Sequence, residues 1–171
     1  MKKIIILVII CALLTLGISY SVKIKVEEYS NSDFSVSYDS TWKKEKDSNS
    51  NGLYLKHKKS EAILNIQCKV LSNNYIDTKL KDIVDDIIYS IEEQNNNPQL
   101  IQRLEIVNKK YEAYSYLYEV EKEQILVNIY KKDNKVIIAY YSANSEYYDI
   151  VLDSVDTILE SLDIKTGIKV N

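Results

Sequence analysis

The stretch that decides the fold runs from Tyr111 to Asn144: YEAYSYLYEVEKEQILVNIYKKDNKVIIAYYSAN. It divides into three runs, YEAYSYLYEVE, EQILVNIYKK and KVIIAYYSA, parted only by a tight turn near Lys122-Glu123 and by KDNK around Asp133-Asn134. Tyr, Val and Ile dominate the runs, and these residues suit a pleated, half-buried surface. Links this short join antiparallel strands, because a parallel crossover takes about a dozen residues or more. Just upstream, LIQRLEIV reads as one more strand, with NKK as its link. The result is a four-stranded meander, and the rest of the chain has to cover it.

Two segments have the pattern to do so. In IDTKLKDIVDDIIYSIEEQNNNP, Leu80, Ile83, Val84, Ile87, Ile88 and Ile91 recur at helical spacing, with Lys79, Lys81, Asp82, Asp85, Asp86, Glu92 and Glu93 opposite them. Asp77 or Thr78 is placed to cap its start, and the Asn run with Pro98 ends it. Full burial of the six apolar side chains would be worth about 9–18 kcal/mol gross. The second segment is SEYYDIVLDSVDTILESLDI. Tyr148, Val151, Leu152, Val155, Leu159 and Leu162 form its stripe, and Ser145 is a suitable N-cap.

The N-terminal half supplies more strands. In DFSVSYDSTW, Phe34, Val36 and Tyr38 alternate with Ser35 and Ser37. EKDSNSNG is a loop by its turn chemistry, LYLKH a strand, and KKSE a turn. In AILNIQCKV, Leu64, Ile66, Cys68 and Val70 share one face, and Asn65, Gln67 and Lys69 the other, so one side of this strand is wet. Strands, a helix, four strands and a helix make an α+β domain: a largely antiparallel β-sheet flanked by two amphipathic helices.

The chain opens MKKIIILVIICALLTLGISYSVKIKVEE. Behind Lys2 and Lys3 lies an apolar run of about 15 residues, between a signal-peptide core and the roughly 20 residues of a membrane span. Residues 1–22 therefore read either as a cleaved signal peptide or as an N-terminal anchor with its lysines inside. Cys11 reads as apolar filler and not as a lipid-attachment site, since Ile10 precedes it and the run continues through Leu14. Residues 23–32 read as a polar tether, 33–164 as the domain, and 165–171 as a tail.

Losing Lys2 and Lys3 with the leader takes the net charge from −3 to about −5. A mildly acidic domain has no basic stripe to displace counterions from nucleic acid. Only Cys68 remains beyond the leader, so there is no internal disulfide and no zinc-ligand spacing. Two glycines and one proline there leave no phosphate-cradling loop.

FSVSYDSTWKKEK, the strand pair, the helix, the meander and the closing ILESLDI together resemble the PsbP-like family over residues 33–164. Phe34, Val36, Tyr38 and Trp42 match the family's opening spacing, with Asp39 where a proline is usual. The resemblance implies an antiparallel sheet flanked by helices. Plant members of the family support the oxygen-evolving complex of photosystem II, and a eukaryotic relative of the fold binds the small GTPase Ran. Bacterial extracytoplasmic relatives are mostly accessory proteins. The resemblance carries over no catalytic residue, and Trp42 only as a packing residue.

Residue chemistry points the same way. His57 is the only histidine, on a strand, where a structural role is the expectation. Cys68 should be a buried, inert thiol. Asp82, Asp85 and Asp86 cluster on one face of the first helix, but that face is solvated and shared with lysines. The same holds for Asp149, Asp153 and Asp156 on the second. The tyrosines stand out: Tyr114, Tyr116 and Tyr118 alternate on one face and offer a candidate contact surface, while Tyr130, Tyr140, Tyr141, Tyr147 and Tyr148 lie downstream.

The function expected is a non-enzymatic accessory or binding domain, with no catalytic residue, metal or cofactor. It would be secreted or held at the outer face of the cell membrane. Its partner would be a protein or small ligand at the cell surface, with membrane contact through the N-terminal segment if that is retained. A hydrolase or metal-dependent enzyme built from scattered carboxylates is the alternative.

Overall fold

The computed structural model describes residues 25–46, 52–95, 98–106 and 110–166. The leader with Cys11 and the tail from residue 167 lie outside the described residues. No helix among the described residues is long and apolar enough to cross a membrane.

The meander forms as its pattern predicts. β6 (Gln99–Ile106), β7 (Glu112–Val120), β8 (Glu123–Lys132) and β9 (Lys135–Asn144) pair in sequence, each antiparallel to the next. β5 (Ile63–Val70), β4 (Gly52–His57) and β3 (Trp42–Lys44) extend the sheet beyond β9, giving seven strands in the order β3-β4-β5-β9-β8-β7-β6. The tight β7–β8 and β8–β9 turns hold Glu121 and Asp133 at left-handed φ of 53° and 54°.

A second, three-stranded sheet was not legible as such. β2 (Phe34–Asp39) lies between β1 (Val26–Ser30) and β10 (Asp163–Ile164), antiparallel to both. The segment read as a tether thus contains a strand, and the segment DFSVSYDSTW read as one strand is two. Asp39 Oδ1 accepts from the Thr41 amide at 2.7 Å, a side-chain-bonded turn at the position where the resembled family has proline. The chain turns there, and Trp42 starts β3 in the large sheet.

Two cores lie on opposite faces of the large sheet. The first joins Phe34, Val36 and Tyr38 of β2 to Leu53, Leu55, Leu64, Ile66, Ile137 and Tyr141, and to α2 (Ser145–Glu160) through Tyr148, Val151, Val155, Ile158 and Leu159. Trp42 belongs to this core, 2% exposed, and its Nε1 donates to Ser154 Oγ at 2.8 Å. The α2 cap is Asn144, one residue before the Ser145 expected, with its Oδ1 accepting from the Glu146 amide.

The second core joins Tyr116, Tyr118, Ile125, Val127, Ile129, Val136 and Ile138 to Leu80, Val84 and Ile88. Its helix, α1 (Val84–Gln94), is shorter than the periodicity predicts. Leu80–Asp82 form a 3-10 turn, and the Leu80 amide donates to a Glu112 carboxylate oxygen rather than to a local cap. Asp77 and Thr78 precede that turn, and Ile83 at φ −126° interrupts the helical path. Three of the six stripe residues are buried, while Ile83, Ile87 and Ile91 are only partly covered.

Candidate functional site

The short α1 leaves room on its side of the sheet. It packs on residues of β7, β8 and β9, and where β5 presents its wet face a groove of about 320 Å³ remains. Asn65, Gln67 and Lys69 of β5 lie beside Tyr140, Ile138 and Val136 of β9 in the pairing register. Ser90, Ile91, Gln94 and Asn95 from the end of α1 line the opposing wall. One hydrogen bond closes the helix onto the sheet here: Tyr140 Oη donates to Asn95 Oδ1 at 3.0 Å, and Asn95 Nδ2 donates to the Ile91 carbonyl at 2.8 Å. Asn65 is one of the lining residues, and its Oδ1 is buried with no hydrogen-bond partner among the described residues.

The groove therefore offers amides, hydroxyls and one lysine. Such groups donate and accept hydrogen bonds. None of the lining side chains is a carboxylate, an imidazole or a thiol.

The tyrosine ladder lies beside this groove but beneath the helix. Tyr116 and Tyr118 stack at 6.4 Å with ring planes 9° apart, and are 2% and 0% exposed. Tyr118 Oη donates to Glu92 Oε1 of α1 at 3.0 Å. Burial, and then Glu92, pushes its hydroxyl pKa well above the usual value. Arg103 of β6, the only arginine, covers the ladder's other end, 5.5 and 5.3 Å from the Tyr114 and Tyr116 ring centres, and pairs with Asp85 of α1 at 3.2 Å. Tyr114 alone of the three keeps partial exposure. The contact surface expected at Tyr114, Tyr116 and Tyr118 is thus mostly core. The α1 stripe, which has to be buried somewhere, lands on it.

The remaining candidates serve the fold. His57 Nδ1 lies 2.7 Å from Ser60 Oγ and accepts from the Ser60 amide, bracing the β4–β5 turn, while its ring meets Trp42 edge-on at 5.3 Å. Burial lowers its pKa, which favours the neutral imidazole. Cys68 is half-buried against the first core, and burial pushes its thiol up to about 11, so it is protonated at neutral pH. Asp82 and Asp86 are exposed, and Asp85 is held by Arg103. Asp149, Asp153 and Asp156 line the outer side of α2. Tyr130, Tyr141 and Tyr148 are core, with Tyr141 Oη donating to the Tyr148 carbonyl at 2.9 Å. Tyr147 is exposed. A second hollow, about 480 Å³, lies where Lys79 and Lys81 meet Glu105 and Glu112, and its mixed charge favours neither ion sign.

The groove itself was missed by sequence reasoning. Its signal was present in the wet face of β5, but which strands α1 would cover was not.

No family model matches the chain, and no curated protein matches it. Among solved structures it is similar to cyanobacterial PsbP (CyanoP) from Synechocystis sp. PCC 6803, with a TM-score of 0.66 over 88% of this chain and 99% of that one, at 15% identity. It is also similar to LpqN of Mycobacterium tuberculosis, a protein involved in cell envelope biogenesis, with a TM-score of 0.52 over 86% and 88% of the two chains at 10% identity. At these identities the likeness establishes the fold: the chain has the PsbP-like α+β architecture that the Phe34–Trp42 opening resembles.

Proposed function

We propose that this protein is a non-enzymatic accessory domain acting outside the cytoplasm, and that it binds a polar partner in the groove between α1 and β5. One observation carries the reading. The open concave surface on the α1 side sets amides, hydroxyls and Lys69 around the apolar Ile91 and Ile138, while His57 and Cys68 are engaged in the other half of the molecule. The side-chain amides along the groove suit a ligand that brings its own hydrogen-bond donors and acceptors, such as the main chain of an extended segment. The leader-like start, MKKIIILVIICALL, supports export or anchoring. The likeness to LpqN, a protein involved in cell envelope biogenesis, is in keeping with that location.

Two measurements on the full-length chain in intact cells test this. A reporter fused after Asn171 should be cut by external protease; complete protection would refute the location. A photoreactive residue at Gln94, on the groove wall, should give a discrete cross-linked species that the same residue at Asp153 does not. Identical patterns at both positions would refute the groove as the binding surface.

A further inference from the structure

The two edges of the large sheet are treated very differently. β3 is three residues long, and its Lys43 and Lys44 are exposed, which is how natural sheets discourage pairing at an edge. β6 has eight residues, and no strand among the described residues pairs with its outer side. It is exposed almost throughout: Leu100, Ile101 and Leu104 are 45%, 49% and 50% accessible. A long edge carrying half-exposed aliphatic side chains is a template for strand addition.

The β6 sequence, QLIQRLEI, says what fits it. The register against β7 skips Ile101, a bulge, leaving Gln102–Ile106 as the regular stretch. Within it Arg103 lies opposite Tyr116 and Glu105 opposite Tyr114, so both face the α1 side, while Leu104, opposite Ser115, faces the other side. An antiparallel strand centred on Leu104 and identical to this one would set Arg103 against Glu105 and Glu105 against Arg103. On the other face the two Leu104 side chains would meet, flanked by Gln102 against Ile106. Residues directly opposite in antiparallel strands share a face, so each pairing is geometrically allowed. A strand with one cation and one anion two residues apart is complementary to itself only in this orientation.

We propose that the protein associates with a second copy of itself through β6, antiparallel about a two-fold axis at Leu104. The two large sheets then run on as one, and the contact is isologous: the same patch on both molecules, with two identical Arg103–Glu105 pairs. Arg103 keeps its place over the tyrosine rings, since a guanidinium has donors for both Asp85 and an incoming carboxylate.

The test uses charge exchange in the full-length chain, held in non-ionic detergent and sized by sedimentation with the detergent contribution matched out. Wild type should sediment as two chains. Arg103→Glu and Glu105→Arg each place like charges opposite one another and should weaken self-association about tenfold or more. Mixed together, the two variants restore both attractions and should dimerise again. Circular dichroism checks that each variant is folded. If Arg103→Glu is not, because α1 loses its Asp85 partner, Glu105→Arg and Leu104→Lys decide alone, and both should be monomeric.

The register has its own readout. Leu104→Cys with Cys11→Ser should form an intermolecular disulfide under mild oxidation in intact cells, and Lys44→Cys with Cys11→Ser on the opposite edge should not. A single-chain mass for wild type at every concentration would overturn the proposal. So would a dimer indifferent to the Glu105 and Leu104 changes, or cross-linking from Lys44→Cys alone.

Discussion

The large sheet has two faces built from the same alternating strands, yet they are finished differently. On one, β2 and a sixteen-residue helix with five buried side chains join the sheet in a continuous core that includes Trp42. On the other, an eleven-residue helix and the turn before it bring three buried side chains, and the uncovered part of the sheet is polar. The first face makes the fold stable. The second carries the open groove and Arg103, held between Asp85 and the tyrosine rings. Spare surface on this molecule follows from a helix too short to cover its share of the sheet.

Truncation on each face measures the contrast. Leu64→Ala empties a fully buried site in the first core and should cost about 2–5 kcal/mol, read from urea titration of the full-length chain. Ile88→Ala should cost about 2 kcal/mol, at the low end of that range, because a short helix can settle into the space. Ile87→Ala should cost about 1 kcal/mol, since that side chain is only partly covered. If Ile87→Ala matched Leu64→Ala, the α1 face would be as tightly closed as the other, and the comparison would fail.

A carboxylate at the margin of α2 sharpens the comparison by charge. Burial, and then Glu160 and Asp153, raises the pKa of Asp156. A carboxyl with a raised folded pKa binds its proton more readily in the native state. Its charge therefore penalises folding above that pKa, and the penalty fades as pH falls toward the unfolded value of about 4. Asp156→Asn should accordingly raise the melting temperature at pH 7, by less than Ile87→Ala lowers it, and the gain should shrink on acidification. A gain that is constant with pH would show packing, not charge, at work. Smallest of all, Asp86→Ala on the exposed side of α1 should change stability by about 0.5 kcal/mol or less.

Much of this was legible in the chain. The meander announced itself because strand-like runs with links this short have to be antiparallel. Both helices were legible from their stripes, although α1 begins later than its pattern, at Val84, once Leu80 had bonded to Glu112 across the fold. β1 was hidden because VEEYS carries little apolar signal and pairs by backbone. LIQRLEIV read as an ordinary strand; that it stands at an edge, exposed, is a fact of strand order that composition does not encode. The tyrosine ladder misled for a similar reason. Alternation shows that three rings share a face, but only the landing place of α1 decides whether that face meets water.

The pairing of β2 with β10 has a consequence in time. Ser35 lies opposite Asp163 and Phe34 opposite Ile164, the Lys165 amide donates to the Asp33 carbonyl at 2.9 Å, and the Ile164 amide donates to Tyr111 Oη at 3.1 Å. The second and last strands thus meet across nearly the whole length of the domain, a closure whose entropy grows slowly with the loop but is met only at the end. A chain emerging from a ribosome or a translocation channel can zip β6 to β9 as each hairpin appears. Phe34 stays without its last covering until residue 164 is free. Folding of this domain is completed only when Asp163 and Ile164 are free to pair, so any step that delays them delays the moment at which the first core is sealed.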